Sequence, residues 1–65
     1  MMKVRCINND GMSDVLSKGA VYEVEMQIRL KNRDYYRMKN DSNIRCNYYV
    51  ERFEKVVSEY KVELL

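Results

Sequence analysis

A chain of 65 residues forms one domain at most and buries only about 60% of the surface its unfolded form exposes, so no large active-site cleft fits inside it. Hydrophobic residues make up 46% and charged residues 34%, as in an ordinary soluble domain, and 12 Lys and Arg against 10 Asp and Glu leave a net charge of +2 that names no partner. The chain has no His and no Trp and only two glycines, which removes the commonest general base, the commonest metal ligand and any phosphate-cradling loop; neither catalysis nor a cofactor is expected.

Residues 3–7 mix Val4, Cys6 and Ile7 with Lys3 and Arg5 and read as an opening strand, closed by the turn Asn8-Asn9-Asp10-Gly11. Over 12–19, Val15 and Leu16 stand among Ser13, Asp14, Ser17 and Lys18, the pattern of a loop pinned to the core, and Gly19 marks a backbone position that needs positive φ. Tyr22, Val24, Met26 and Ile28 then alternate with Glu23, Glu25 and Gln27, the period of a strand with one dry and one wet face, and Leu30 continues it. Asn32-Arg33-Asp34 supplies a turn into a strand over 35–39 with Tyr36 and Met38 facing in. Asn40-Asp41-Ser42-Asn43 turns the chain into 44–50, where Ile44, Cys46, Tyr48 and Val50 alternate with Arg45, Asn47 and Tyr49, completing a three-stranded meander. Glu51-Arg52-Phe53-Glu54 breaks that alternation; one helical turn there drops Phe53 into the core, and Lys55-Val56-Val57 closes as a short strand.

The expected fold is all-β: a small five-stranded SH3-like barrel over 1–57, with a short helical turn before the last strand and a C-terminal tail over 58–65. Bringing the terminal strands together gives every strand a partner around a core of Val4, Cys6, Leu16, Tyr22, Val24, Met26, Tyr36, Met38, Ile44, Cys46, Tyr48 and Phe53. In the tail, Tyr60, Val62, Leu64 and Leu65 could cover an open barrel end or join a second copy into a homodimer. Cys6 and Cys46 read as small buried hydrophobes, with a disulfide or a shared zinc as the alternatives. The longest apolar runs fall far short of the roughly 20 residues that span a bilayer, and no basic start leads into an apolar stretch, so the chain is expected in the cytoplasm and not at a membrane.

The chain also resembles the small SH3-like barrel proteins of phages and prophages of Gram-positive bacteria, of the YorP type. The resemblance is carried by Lys3-Val4-Arg5-Cys6-Ile7-Asn8-Asn9, Leu16 with Lys18-Gly19, Val21-Tyr22-Glu23-Val24, Asp34-Tyr35-Tyr36, Asn40-Asp41-Ser42 and Arg52-Phe53-Glu54. Two departures stand out: members of that family usually carry Gly where Asn43 stands, and often end soon after the last strand. The resemblance implies a fold and an accessory role in the host-cell cytoplasm, and no biochemistry, since such barrels host many unrelated tasks.

Charge by segment is more informative than the total. Residues 29–50 carry six bases against Asp34 and Asp41, whereas residues 1–28 and 51–65 are each slightly acidic. With Tyr36, Met38, Ile44, Cys46 and Tyr48 inward, the opposite face of two neighbouring strands holds Tyr35, Arg37, Lys39, Arg45, Asn47 and Tyr49. Interleaved Tyr and Arg suit a protein interface, suit nucleic acid by stacking and phosphate pairing, and are also plain cross-strand pairs. The leading expectation is a non-enzymatic phage accessory module that binds a host or defence protein through this face, with inhibition of that protein as the role the resemblance suggests; the alternative is a DNA- or RNA-binding small barrel.

Overall fold

The computed structural model describes residues 2–57, so the tail, and with it homodimerisation through 58–65, lies outside the described residues. Among the described residues six antiparallel strand segments form two three-stranded sheets, and the one helical element is a single 3-10 turn at Val50–Arg52. The strands are β1 Met2–Cys6, β2 Val21–Val24, β3 Met26–Leu30, β4 Arg33–Lys39, β5 Arg45–Tyr49 and β6 Phe53–Lys55. One sheet has the order β2-β1-β6 and the other β3-β4-β5, with the core between them. Among the described residues no helix is long and apolar enough to cross a membrane.

Six segments replace the five expected strands because the long second strand is interrupted at Glu25. The Glu25 N–H donates to Arg37 O at 2.8 Å while Met26 is itself the ladder partner of Arg37, so two residues face one, as in a β-bulge. The extra residue shifts the alternation by one. Tyr22 and Val24 point into the core, but beyond the bulge Gln27 shares the face of buried Tyr36, and Met26, Ile28 and Leu30 turn outward. Met26, expected in the core, is therefore 56% exposed. Ile44, also expected there, is 58% exposed: it lies one step outside β5, where Asn40 occupies the covered side of the hairpin end. Cys46 is half-buried against the core rather than within it, and Cys6 is fully buried; both are free thiols.

The remaining expected core is buried, with Phe53 at its centre. Its ring meets Tyr22, Tyr36 and Tyr48 at centroid distances of 6.2, 6.0 and 6.4 Å, in edge-on or tilted geometries that suit aromatic quadrupoles. The helical turn comes one residue earlier than expected and delivers Phe53 as the first residue of β6, so the closing strand starts at Phe53 instead of Lys55. The β3–β4 turn also moves: Lys31 and Asn32 both have positive φ (48° and 65°), the two-residue connection whose twist matches a hairpin, and β4 starts at Arg33. Asn43 has φ 66°, a conformation that Asn tolerates better than most residues.

The loop between β1 and β2 is folded against the core. Gly19, at φ 92° as expected, donates its N–H to Cys6 O at 2.7 Å, and fully buried Leu16 anchors the middle. Asp41 ties this loop to the β4–β5 hairpin: one carboxylate oxygen accepts from Tyr22 Oη and the other from Ser17 Oγ, each at 2.7 Å, and its N–H donates to Val15 O. The Ser17 and Tyr22 hydrogen bonds hold the Asp41 carboxyl below its ordinary pKa of 3.8. A depressed folded-state pKa contributes stability that is complete above the unfolded value and lost as pH falls through the folded one. Melting temperature is therefore expected to drop in acid below about pH 4, and Asp41→Asn is expected to be less stable at neutral pH, with the gap closing as acid protonates the wild-type carboxyl. Thermal melts of both proteins from neutral pH to about 2 check this; a gap that stays constant would rule out the carboxylate as the tie.

Candidate functional site

Ladder register places the six expected binding residues on one face. Tyr35 is directly opposite Tyr49, Arg37 opposite Asn47 and Lys39 opposite Arg45, while the alternating Tyr36, Met38 and Tyr48 are buried. Extending the same rows onto β3 adds residues that the regular alternation assigned to the interior. Ile28 stands beside Tyr35, Met26 beside Arg37, and Leu30 beside Arg33. One row across the outer face therefore reads Ile28, Tyr35, Tyr49, flanked by Met26, Arg37, Asn47 on one side and Leu30, Arg33 on the other. Leu30 is 52% exposed and Tyr49 39%.

The polar members of the face are largely matched within the chain. Arg45 Nε donates to Glu25 Oε1 at 2.9 Å, and the bulge at Glu25 brings that carboxylate to the outer side. Arg33 lays its guanidinium 3.9 Å from the Tyr49 ring centroid and reaches Glu51 at 3.9 Å, a cation–π contact on the rim of the face. Arg37 Nη1 donates to Asn47 Oδ1 at 3.1 Å. Among the described residues only Lys39 and Arg37 of this set make no ion pair. Tyr35 and Tyr49 pack ring against ring at 5.1 Å with a 38° tilt, and the Tyr35 hydroxyl is held above its ordinary pKa by loss of water contact and then by Tyr49.

A cavity of about 220 Å³ opens at the β5 side of the face, lined by Met12, Tyr35, Asn47, Tyr48, Tyr49 and Arg52. Met12 comes from the pinned loop and Arg52 from the 3-10 turn. The Arg52 guanidinium is fixed by Asn8 O at 3.1 Å and Asp10 O at 3.0 Å, which sets the distance between loop and turn and so the width of the cavity. Its aromatic and apolar walls suit one bulky side chain. Among the described residues no three His, Cys, Asp or Glu side chains come together as a metal site.

Four members of the face were not among the residues read from the sequence: Met26, Ile28, Leu30 and Arg33. The apolar three are hidden by an unbroken alternation, and Arg33 by its place in what reads as a turn. No protein-family model matches the chain, and neither curated proteins nor solved structures gave a match.

Proposed function

We propose that the chain is a small SH3-like barrel of the phage and prophage accessory type, a non-enzymatic module that binds a protein in the host-cell cytoplasm, where it blocks or redirects a host or defence factor. The barrel reading is supported by a long second strand shared between the two sheets and by the 3-10 turn before the closing strand. The phage origin and the inhibitory role rest on the sequence resemblance. The binding surface is the outer face of β3-β4-β5, with Tyr35 and Tyr49 at its centre and Arg37, Lys39, Arg45 and Asn47 around them.

The observation that carries the protein reading is the apolar row of Met26, Ile28 and Leu30 joined to the Tyr35–Tyr49 pair. Contiguous apolar and aromatic surface rimmed by arginine is what a protein partner buries, and it contributes nothing to phosphate binding. Nucleic acid is served less well. Two of the arginines are occupied by Glu25 and Glu51, and the Tyr49 ring already carries Arg33 on one side. Lys39 and Arg37, which make no ion pair among the described residues, and the charge excess of 29–50 favour a partner with an acidic edge around an apolar centre.

The test is capture from nuclease-treated bacterial lysate on the immobilised chain, compared with Tyr49→Ser and Arg37→Glu, two exposed-face changes that leave the core intact. One discrete protein is expected on the wild type, with retention reduced about tenfold or more by each variant. Recovery of nucleic acid without nuclease, released steeply with salt, would move the face to the nucleic-acid reading.

A further inference from the structure

β3 is an edge strand. Its ladder runs to β4 on one side, and among the described residues no strand pairs with the other side. Proteins ordinarily guard such an edge with Pro, a charge on its apolar side or a covering loop. This chain has no Pro, and on the outer face of β3 every residue is apolar: Met26, Ile28 and Leu30. Only Arg29, held to Asp34 at 2.9 Å, puts a charge on the opposite face.

The segment is self-complementary. In an antiparallel pairing of two copies about a two-fold axis through Ile28, Ile28 stands opposite Ile28 of the second copy and Met26 opposite Leu30, so the apolar row continues across the junction. On the other face Gln27 stands opposite Arg29, and no like charges meet. The residues that flank this stretch, Glu25 and Lys31, are opposite in sign, although Glu25 lies in the bulge and is held by Arg45 and Lys31 lies in the hairpin turn, so neither extends the ladder. A shift of register by one residue brings the apolar side chains of one copy beside the polar ones of the other, and a two-fold centred on Arg29 or Gln27 pairs only three residues a side, the former with Arg29 against Arg29, so the pairing centred on Ile28 is the longest that keeps the apolar row in line.

We infer that β3 pairs with β3 of a second copy of this chain, antiparallel and centred on Ile28, joining two three-stranded sheets into one of six strands. The pairing covers the lateral edges of Met26, Ile28 and Leu30 and sets two Tyr35–Tyr49 faces side by side, so a partner with two equivalent sites is bound bivalently. Five paired residues a side make a small interface, and association is expected at about 0.1 mM. The inference concerns the edge, whereas the partner reading concerns the face and is read by Tyr49→Ser and Arg37→Glu, so either can fail without the other.

The test is sedimentation equilibrium of the full chain up to about 1 mM, with thermal melts confirming that each variant is folded. The wild type is expected to dimerise. Ile28→Lys, which sets like charges face to face at the axis, and Leu30→Lys, at a more exposed position, are each expected to weaken association tenfold or more, while Ile44→Lys at the far hairpin leaves it unchanged. In a second arm, a short bifunctional thiol reagent is expected to cross-link Ile28→Cys to its copy and Gln27→Cys much less. A wild type that stays monomeric throughout, association indifferent to Ile28→Lys and Leu30→Lys, or equal cross-linking at the two positions would each overturn the inference.

Discussion

Leu16→Ala is expected to lower stability by about 2–5 kcal/mol, the cost of emptying a fully buried leucine site. The effect is large because the chain is short: at roughly 0.05–0.15 kcal/mol per residue, 65 residues hold about 3–10 kcal/mol in all. At about 4–8 °C per kcal/mol in a domain of this size, the melting temperature should fall by roughly 8–40 °C. Leu16 is held from both sides, its N–H donating to Met12 O at 2.8 Å and its carbonyl accepting from Asn9 Nδ2 at 3.0 Å, so collapse of the loop into the void would strain both bonds. The same loop carries Met12 to the cavity beside Tyr35 and Tyr49, and the variant is expected to bind the partner less well even below its melting point. Val15→Ala, at a half-buried neighbour, is the comparison, with about 1 kcal/mol expected. Circular dichroism melts of the two variants decide the matter: equal small losses would mean that the loop is not anchored through Leu16.

Which parts of this architecture the sequence discloses follows from where the physics is local. Turn residues announce themselves: Gly19 at positive φ, the Asn-rich corner ending at Asn43 and the break before Phe53 all lie where the chain itself sets the backbone. The faces of β4 and β5 are equally legible, because Tyr36, Met38 and Tyr48 alternate strictly with Tyr35, Arg37, Asn47 and Tyr49 and no bulge intervenes. The interruption at Glu25 leaves no trace. Tyr22 to Leu30 alternates without a Gly or Pro to mark a bulge, and the bulge exists only because Arg37 of another strand meets two residues. A pattern that promises burial and is then turned outward is a local rule broken at non-local demand, and such breaks concentrate at functional surfaces. Here it supplies the apolar third of the candidate site. Ile44 is a different case, since its inward side is filled by Asn40, a polar residue that composition alone places at the surface.

Asn40→Ala is expected to cost about 2–3 kcal/mol although it deletes no apolar contact of consequence. The buried side chain is saturated: Oδ1 accepts from the N–H of Ser42 at 2.9 Å and of Ile44 at 3.1 Å, and Nδ2 donates to Tyr48 Oη at 3.1 Å and, weakly, to Cys46 Sγ at 3.9 Å. Alanine abolishes all four, leaving the Tyr48 hydroxyl in the core without this donor and two turn N–H groups dependent on water. Burial already raises the Tyr48 pKa while the Asn40 donor opposes that rise, so the Tyr48 titration should move further up in the variant. Asn40→Asp separates the contributions. A carboxylate still accepts both turn N–H groups but cannot donate, and the Tyr48 hydroxyl can rotate to donate to it, so the loss at neutral pH is expected to be about half that of alanine. The consequence reaches the binding face, because Asn40 and the Asn43 corner close the hairpin whose register sets Tyr35 opposite Tyr49 and Arg37 opposite Asn47. Loosening that corner weakens the constraint against a one-residue slip that would turn the face inward. Asn40→Ala is therefore expected to lose stability and partner binding together, whereas Arg37→Glu loses binding at nearly unchanged stability; melts and lysate capture on the same two variants would show whether the hairpin holds the face in register.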